Sequence, residues 1–311
     1  MKNQRVYILL FGFAVFTGAT FNLGKYAVSF FSPASAAAWR FGIATIVLFL
    51  ILAFKEGMKK STLSRNLLPY IALGIIGVFG FNALFFTGLK YTTPINGALI
   101  MGTNPILTSL LAKVLLKEKL TIQRITGIVF AFIGVALVIT QGSLVTLMSL
   151  SFSKGDLIIL GGNLCWASYG VLGRKWVKGS TSLETTAYPL LFGSAALIAL
   201  SVFSKSSAPF ASIPPDVWGA ILFMALCTSV LGYLWWNLGI QKIGAGKTSL
   251  FFNLVPVVTM IISAITGAAV TYPQLFGVGF VILGVLTASG VFPLTPSKTV
   301  LTQDGGAPIG K

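Results

Sequence analysis

The sequence predicts an all-α integral membrane protein of ten transmembrane helices, arranged as two inverted five-helix repeats. Three observations predict this class: the hydropathy of the whole chain, the recurrence of long apolar segments, and a register of matching residues between the two halves. The chain of 311 residues is 55% hydrophobic and 9% charged, with a mean hydropathy of +0.90. Soluble domains carry roughly 25% charged residues, so a water-soluble core of this length could not hide so much apolar surface.

Apolar segments recur along the chain at the length that crosses a bilayer. Roughly 20 apolar residues in a helix span the hydrocarbon core of about 30 Å. Closed barrels would instead need short strands of alternating hydrophobicity, unlike these long apolar segments. Hydropathy and the positions of Gly and Pro place the predicted helices at 6–26, 34–54, 67–88, 94–115, 123–140, 155–174, 184–204, 216–240, 247–268 and 273–293.

The basic residues orient these helices. Most of the 22 Lys and Arg residues fall in short connections on the side of the N-terminus, while Lys25, Lys90, Lys154 and Lys205 mark the other side. Cytoplasmic loops carry an excess of Lys and Arg, so both termini are expected in the cytoplasm. The net charge of +16 is spread over these connections and forms no single patch, so no nucleic-acid partner is predicted.

The acidic residues match the predicted helix starts. Asp156, Glu184 and Asp216 each open a predicted helix, where a negative charge complements the helix dipole. The segment from Thr181 to Glu184 has the pattern of a capping box. We therefore interpret these carboxylates as helix caps.

The two halves of the chain match in a steady register. Gly88 corresponds to Gly239 and Pro105 to Pro256. The register continues with Gly127, Phe130, Gly134 and Val135 opposite Gly277, Phe280, Gly284 and Val285. This predicts a first repeat over 1–140, an outer linker over 141–154, a second repeat over 155–293 and a disordered cytoplasmic tail over 294–311. Because five is odd, the second repeat enters the membrane from the opposite side, which is typical of secondary transporters with a site between the repeats.

Several segments carry a resemblance to a known family. They are Leu164–Leu172 followed by Arg174-Lys175, Trp39-Arg40-Phe41, Asn104-Pro105, Val255-Pro256, and Gly127 with Gly134-Val135. In their order and spacing they resemble the EamA family of the drug/metabolite transporter superfamily over nearly the whole chain. The resemblance implies a ten-helix carrier in the bacterial inner membrane, with both termini inside, in a family that often exports amino acids or other small metabolites.

One segment departs from that family pattern. The family often has Gly-Glu between its last two helices, and Lys117-Glu118 still shows the acidic residue in the first half. The matching stretch of the second half is Gly267-Ala268-Ala269. The departure is expected to affect a loop more than transport.

Polar and aromatic residues inside the predicted helices are the candidate substrate-binding residues. They are Asn22, Lys25, Arg40, Asn82, Asn104, Asn163, Trp166, Tyr169, Tyr233 and Asn253. An intramembrane cation costs about 2.5–3.5 kcal/mol even on lenient scales, so Arg40 is expected either to neutralise a substrate carboxylate or phosphate or to bind carbonyls in a structural role. Lys25 has the same two interpretations, the second being snorkelling. Each buried amide must bond another helix, water or substrate.

Two further features bear on mechanism. Trp166 and Tyr169 lie three residues apart, on one helix face beside Asn163, and are expected to form a cavity wall. Pro105 and Pro256 fall in the middle of predicted helices, where each is expected to produce a kink. The kinks would be either hinges for alternating access or static shape.

Missing residue types narrow the chemistry. The chain has no histidine, and no carboxylate lies deep in a predicted helix, so proton relays built on such groups are not predicted. Cys165 and Cys227 lie inside predicted helices and are interpreted as packing residues. We expect no enzyme activity, no metal and no cofactor, a small-molecule substrate, the lipid bilayer as surroundings, and a monomer or homodimer. Another solute class (sugar, nucleoside, amine or drug) and a non-transporting membrane binding protein stay as alternatives.

Overall fold

The computed structural model describes residues 4–88, 91, 100–148, 153–204, 213–265 and 269–289, and every regular element in these ranges is a helix. The long helices are α1 (Gln4–Ala27), α2 (Pro33–Lys55), α3 (Lys60–Gly88), α4 (Asn104–Leu116), α5 (Ile122–Thr140), α6 (Lys154–Trp176), α7 (Ser182–Phe203), α8 (Pro215–Ile243), α9 (Leu254–Ile265) and α10 (Tyr272–Ser289). A short helix, Leu144–Met148, follows α5, and helix Ala245–Ser249 with a 3₁₀ turn, Leu250–Asn253, leads into α9.

The helices have the dimensions of a multi-pass membrane protein. Within the described residues, seven helical segments are long and apolar enough to cross a membrane, and Ile100–Leu116 and Tyr272–Ala288 are shorter apolar helices. The all-helical membrane class is therefore confirmed, while the count of ten crossings stays a prediction. The predicted tail at 294–311 lies outside the described residues.

Helix α3 begins earlier than predicted. Its first residue is Lys60, not residue 67, and its first turns carry the exposed Arg65 and the buried Asn66. The Asn66 amide accepts a hydrogen bond from the backbone N–H of Lys178 at 2.9 Å and donates one to its carbonyl at 2.9 Å. The polar first turns thus dock on the turn after α6, which the hydropathy of this segment does not encode.

Side-chain caps start the helices of the second half. Ser153 with Asp156, and Thr181 with Glu184, each form a complete capping box. Asp216 lies in the first turn of α8 and accepts a hydrogen bond from the hydroxyl of Tyr26. The interpretation of these carboxylates as caps is confirmed for Asp156 and Glu184, since each satisfies a backbone N–H that the helix itself leaves free.

Hydrogen bonds between helix termini define the two ends of the bundle. The Thr181 hydroxyl donates to the Glu56 carboxylate at 2.7 Å, and the Arg174 guanidinium donates to the carbonyl of Gln241 at 3.2 Å. The ends of α2, α6 and α8 therefore lie together, and we call this the N-terminal end because α1 begins there. The Tyr26–Asp216 contact joins the end of α1 to the start of α8 at the opposite end.

Helix contacts between the halves come in matching sets. Helix α3 packs on α6 and α7, as α8 packs on α1 and α2, and α4 packs on α6 as α9 packs on α1. Helices α2 and α7 pack together, and so do α5 and α10. These contacts of one half thus have counterparts in the other.

Glycines allow the α5–α10 contact. A Cβ atom at Gly127 would lie 2.6 Å from the carbonyl of Gly284, and one at Gly134 would lie 2.5 Å from the carbonyl of Gly277. The two helices therefore meet backbone to backbone, antiparallel, through small residues, as membrane helices often do. The glycines matched by the internal register are thus packing residues of this interface.

Two features of the helices differ from the sequence-based expectation. Helices α3 and α8 contain π-helical segments at Gly74–Gly80 and Met224–Gly232, in matching positions of the two halves. Pro105 lies in the first turn of α4, after a turn at Thr103, and Pro256 lies in the first turn of α9. The predicted mid-helix kinks are therefore wrong in form: the helix is interrupted before each proline, since a proline lacks the N–H that a continuous helix needs but fits a first turn.

Candidate functional site

A cluster of aromatic side chains surrounds Trp166 in the middle of the bundle. Its ring centroid lies 5.2 Å from that of Phe81, 5.1 Å from Tyr233 and 5.3 Å from Trp236. Tyr169 stacks on Trp166 at 5.6 Å, as the spacing in α6 predicts. Phe13 and Phe252 complete this central cluster through their contacts with Trp236. Helices α1, α3, α6 and α8 and the 3₁₀ turn before α9 therefore converge on one aromatic centre.

Some polar atoms of this centre have no partner among the described residues. The indole N–H groups of Trp166 and Trp236 are buried without a hydrogen bond among the described residues. The same holds for both amide atoms of Asn253, a fully buried residue next to Phe252. Leaving a buried donor or acceptor unpaired costs about 1–3 kcal/mol each, so a set of three such side chains needs an explanation.

A second set of buried amides is fully paired. Asn104 donates to the side-chain oxygen of Asn163 at 2.7 Å, and Asn163 donates to the carbonyl of Ile100 at 2.7 Å. The amide of Asn163 also reaches the Thr103 hydroxyl at 3.1 Å, and the hydroxyl of Thr108 donates to Asn104 at 3.2 Å. This paired network joins α4 to α6 and binds backbone atoms freed where the helix is interrupted before Pro105.

The remaining predicted amides border the central cluster. Asn237, which was not among the predicted site residues, donates to the hydroxyl of Tyr169 at 2.8 Å and to that of Thr186 at 2.9 Å. Asn82 bonds the carbonyl of Val78 at 2.7 Å and the side chain of Tyr233. Both amides hold an aromatic hydroxyl of the cluster in place.

Arg40 is buried beside the same cluster. Its Nε donates to the hydroxyl of Ser229 at 2.8 Å, within the π-helical segment of α8, and its guanidinium carbon lies 4.8 Å from the ring centroid of Phe41. Tyr233 is its neighbour on the side of the aromatic centre. Only 8% of Arg40 is exposed, and within the described ranges the single ion pair is Arg124–Glu118. No described carboxylate neutralises Arg40.

Two cavities approach the centre from opposite ends. The first, of about 360 Å³, is mostly apolar and opens at the end opposite the N-terminus; among its lining residues are Met101, Gln141, Phe252, Met260 and Gln274. The second, of about 300 Å³, opens at the N-terminal end; it is lined by Gly173, Arg174, Val177, Ser180, Thr185, Asn237, Ile240 and Gln241. Phe252 belongs to the first cavity and Asn237 to the second, so the aromatic cluster stands between them.

The predicted site residues divide into groups. Trp166, Tyr169 and Tyr233 meet in the aromatic centre, Arg40 and Asn82 border it, and Asn104 and Asn163 pair with each other. Asn253, which follows Phe252 in the chain, is buried and unpaired among the described residues. Asn22 is exposed, so it is not one of the deeply buried polar residues that the sequence suggests. Lys25 lies in the last turn of α1, and its side chain is outside what the structure describes.

Sequence reasoning missed part of the centre. Trp236 and Asn237 lie three and four residues after Tyr233, on the same helix face, and this spacing could have identified them. Phe13 lies in an apolar stretch and Phe252 beside a second phenylalanine, so no local signal marks either residue as central.

The fold and this site define a multi-pass membrane protein with a polar and aromatic centre. A model of the EamA-like transporter family matches the chain twice, over residues 4–140 and 153–290. The chain therefore belongs to the EamA-like transporter family, as the sequence resemblance predicts, and is a membrane transporter of the drug/metabolite type.

Relatives and a solved structure agree with this membership. The chain is 60% identical over 299 residues to the uncharacterized transporter YyaM of Bacillus subtilis (strain 168), covering 96% of this chain and 98% of that protein. It is 30% identical to YrdR of the same organism over 86% of each chain. The crystal structure of another protein shares the fold, with a TM-score of 0.75 and 19% identity, over 91% of this chain and 96% of the other.

Proposed function

We propose that the chain is a secondary carrier that exports an amino acid, or a closely related solute with an anionic group, across the plasma membrane by alternating access. The observation that carries this proposal is the pair of unpaired indole N–H groups of Trp166 and Trp236 in the aromatic centre, together with the unpaired amide of Asn253, which follows Phe252 in the chain. A solute with hydrogen-bond acceptors would satisfy two indole N–H donors and one amide at once. The aromatic rings would hold its apolar part.

The arrangement of helices supports alternating access. The contacts of α3 with α6 and α7, and of α4 with α6, have counterparts in the other half, and the family model matches once in each half. This agrees with two inverted five-helix repeats around a midplane site, with both termini in the cytoplasm. The interruptions before Pro105 and Pro256 lie in equivalent helices and supply matching hinges.

The cavities support a transport path through the centre. One cavity reaches Phe252 from the outer end and the other reaches Asn237 from the cytoplasmic end. Because the aromatic cluster separates them, opening on one side need not open a continuous pore. Each cavity has about the volume of a small-ligand site.

Arg40 supports a solute with a negative charge. A buried guanidinium without a carboxylate partner is costly in a membrane, and an anionic substrate group would compensate it. Its hydrogen bond to Ser229 connects it to the π-helical segment of α8, a kind of segment frequently found at functional sites. Substrate binding at Arg40 would therefore also act on α8.

The test is uptake and counterflow of a labelled amino-acid panel in proteoliposomes. We compare the intact protein with Arg40→Gln and Trp166→Ala, and with the controls Arg65→Gln and Trp176→Ala, which alter exposed residues. Saturable counterflow is expected, with KM raised about tenfold or more by Arg40→Gln, the loss expected for a hydrogen bond to a charged group. The controls are expected to match the intact protein.

Each other outcome has a distinct meaning. Flux of sugars, nucleosides or amines without flux of amino acids would keep the carrier and contradict the anionic site. Binding of a solute without any counterflow would indicate a binding protein that does not transport. Equal flux in Arg40→Gln and the intact protein would leave Arg40 a structural residue.

A further inference from the structure

A buried ion pair ties the two halves together at the N-terminal end. Arg124, in the first turn of α5, donates to the carboxylate of Glu118, in the turn after α4, at 3.3 Å. The side chains are 8% and 25% exposed. The guanidinium lies directly against the backbone of the second half, since a Cβ atom at Gly246 would be 1.0 Å from its Nη2 atom.

The contact is tight on both sides. A Cβ atom at Gly244 would lie 3.3 Å from the carboxylate of Glu118, and Gly244 has a positive φ of 89° that favours glycine. Helix Ala245–Ser249 packs against α4, and four of its five residues are buried. The turn between α4 and α5 therefore covers the turn between α8 and α9 and closes the bundle at this contact, while the second cavity opens at the same end between α6, α7 and α8.

The Arg124 side chain is not fully satisfied in this closed arrangement. Its Nε and Nη2 atoms are buried without a hydrogen-bond partner among the described residues. A buried cation with unpaired donors is costly. The contact is thus held by one ion pair and by packing. The desolvated donors offset part of this stabilisation, so loss of the ion pair or of the packing at Gly246 is expected to release the contact.

Among the described residues, the opposite end has no equivalent ion pair. In the internal register of the two halves, Ala268 corresponds to Glu118 and Gln274 to Arg124. Gln274 caps its own helix through Thr271 at 2.9 Å and donates to the carbonyl of Val138 at 3.2 Å. Gln274 and Ala269 line the cavity that is open at this end. The contact with the ion pair is closed, whereas the matching contact at the other end borders an open cavity.

We infer that Glu118, Arg124 and Gly246 form a latch that holds the α4–α5 turn closed on the segment leading into α9, and so favours the state in which the path between these helices is closed to the cytoplasm. This inference rests on the proposed alternating access. Inward opening requires α4 and α5 to separate from the start of α9, so the ion pair must leave Gly246. Because only one repeat carries the charges, the two open states are unequal in free energy before any substrate binds.

The experiment measures the accessibility of each end without substrate. In a background with Cys165→Ser and Cys227→Ser, single reporters are placed at Ser249→Cys, buried near the latch, and at Ala264→Cys, in the open cavity. Labelling by a membrane-impermeant maleimide is followed in inside-out and right-side-out vesicles. The latch is broken by Glu118→Gln or by Gly246→Ala, which displaces the guanidinium while keeping both charges.

Both variants are expected to raise cytoplasmic labelling of the Ser249 reporter about fivefold or more and to lower outer labelling of the Ala264 reporter, as a shift between two coupled states requires. Lys119→Gln, which removes an exposed charge from the same turn, is expected to change neither. Unchanged labelling of the Ser249 reporter, or a rise of both reporters together, would overturn the latch.

The readout separates this inference from the proposed function. Opposite changes of the two reporters without any flux of amino acids would keep the latch and refute the substrate assignment. Flux with unchanged labelling in both latch variants would keep the carrier and refute the latch.

Discussion

Two groups of buried polar side chains lie within the same bundle and differ in how they are satisfied. Between α4 and α6, Asn104 and Asn163 pair with each other and with neighbouring backbone and hydroxyl groups. The indole N–H groups of Trp166 and Trp236 in the aromatic centre, and the amide of Asn253, have no partners among the described residues. In a bilayer both arrangements must be compensated, and only the first is compensated by the protein itself.

The comparison separates stability from function. A paired amide contributes to folding, and its loss leaves its partner unsatisfied. An unpaired buried group weakens folding, so its retention is explained by what it binds. The paired network is therefore expected to respond to mutation mainly in stability, and the unpaired group mainly in flux.

The largest effect is expected for Asn253→Leu. Removal of the amide would remove the hydrogen bond between Asn253 and the substrate. It should lower kcat/KM about tenfold to a hundredfold, the range for a hydrogen bond to a charged group. The temperature of unfolding in detergent should stay equal or rise, because an unsatisfied buried amide is gone. Lower stability together with normal counterflow would place Asn253 with the paired residues.

Asn163→Leu is expected to give the opposite pattern. It leaves the amide N–H of Asn104 without its acceptor and removes the bonds to the Thr103 hydroxyl and the Ile100 carbonyl, so the free energy of unfolding should fall by about 1–2 kcal/mol. Thermal unfolding in detergent measures the loss, and counterflow is normalised to folded protein. Normal stability with strongly reduced flux would contradict the structural role and indicate that Asn163 binds the substrate.

Trp166→Phe and Trp236→Phe sharpen the comparison within the aromatic centre. Each keeps an aromatic ring and removes only the indole N–H, so packing is largely retained. We expect KM for the transported solute to rise about tenfold, with little change in unfolding temperature. If both Trp→Phe variants transport normally, the two rings contribute only packing and the unpaired indole N–H donors have no role in substrate binding.

The smallest effect is expected for Thr108→Val. Its hydroxyl makes a bond of 3.2 Å to Asn104, at the edge of the paired network. Asn104 keeps its bond to Asn163, so the loss should be about 0.5 kcal/mol. A loss as large as that of Asn163→Leu would show that the network depends on its periphery and not on the amide pair.

Much of the fold could be predicted because the bilayer imposes a strong pattern on the sequence. The start of α2 was predicted within one residue and that of α6 likewise, since length and hydropathy of a crossing helix are constrained. The capping boxes at Asp156 and Glu184 were readable because a cap is local chemistry. The start of α3 was not predicted correctly, because its polar first turns are stabilised by a contact with Lys178 far along the chain.

By itself the sequence determined the membrane class, the approximate helix bounds, the family and the set of polar residues inside the helices. Only the tertiary structure decided which of those residues pair. Asn163 pairs with Asn104, and the amide of Asn253 has no partner among the described residues. Helical periodicity tells which residues share a face, but partners depend on the rotation and offset of neighbouring helices. Close glycine contacts set those quantities, as at Gly77, where a Cβ atom would lie 2.3 Å from the ring of Tyr169. Such contacts are non-local, so no segment read alone reveals them.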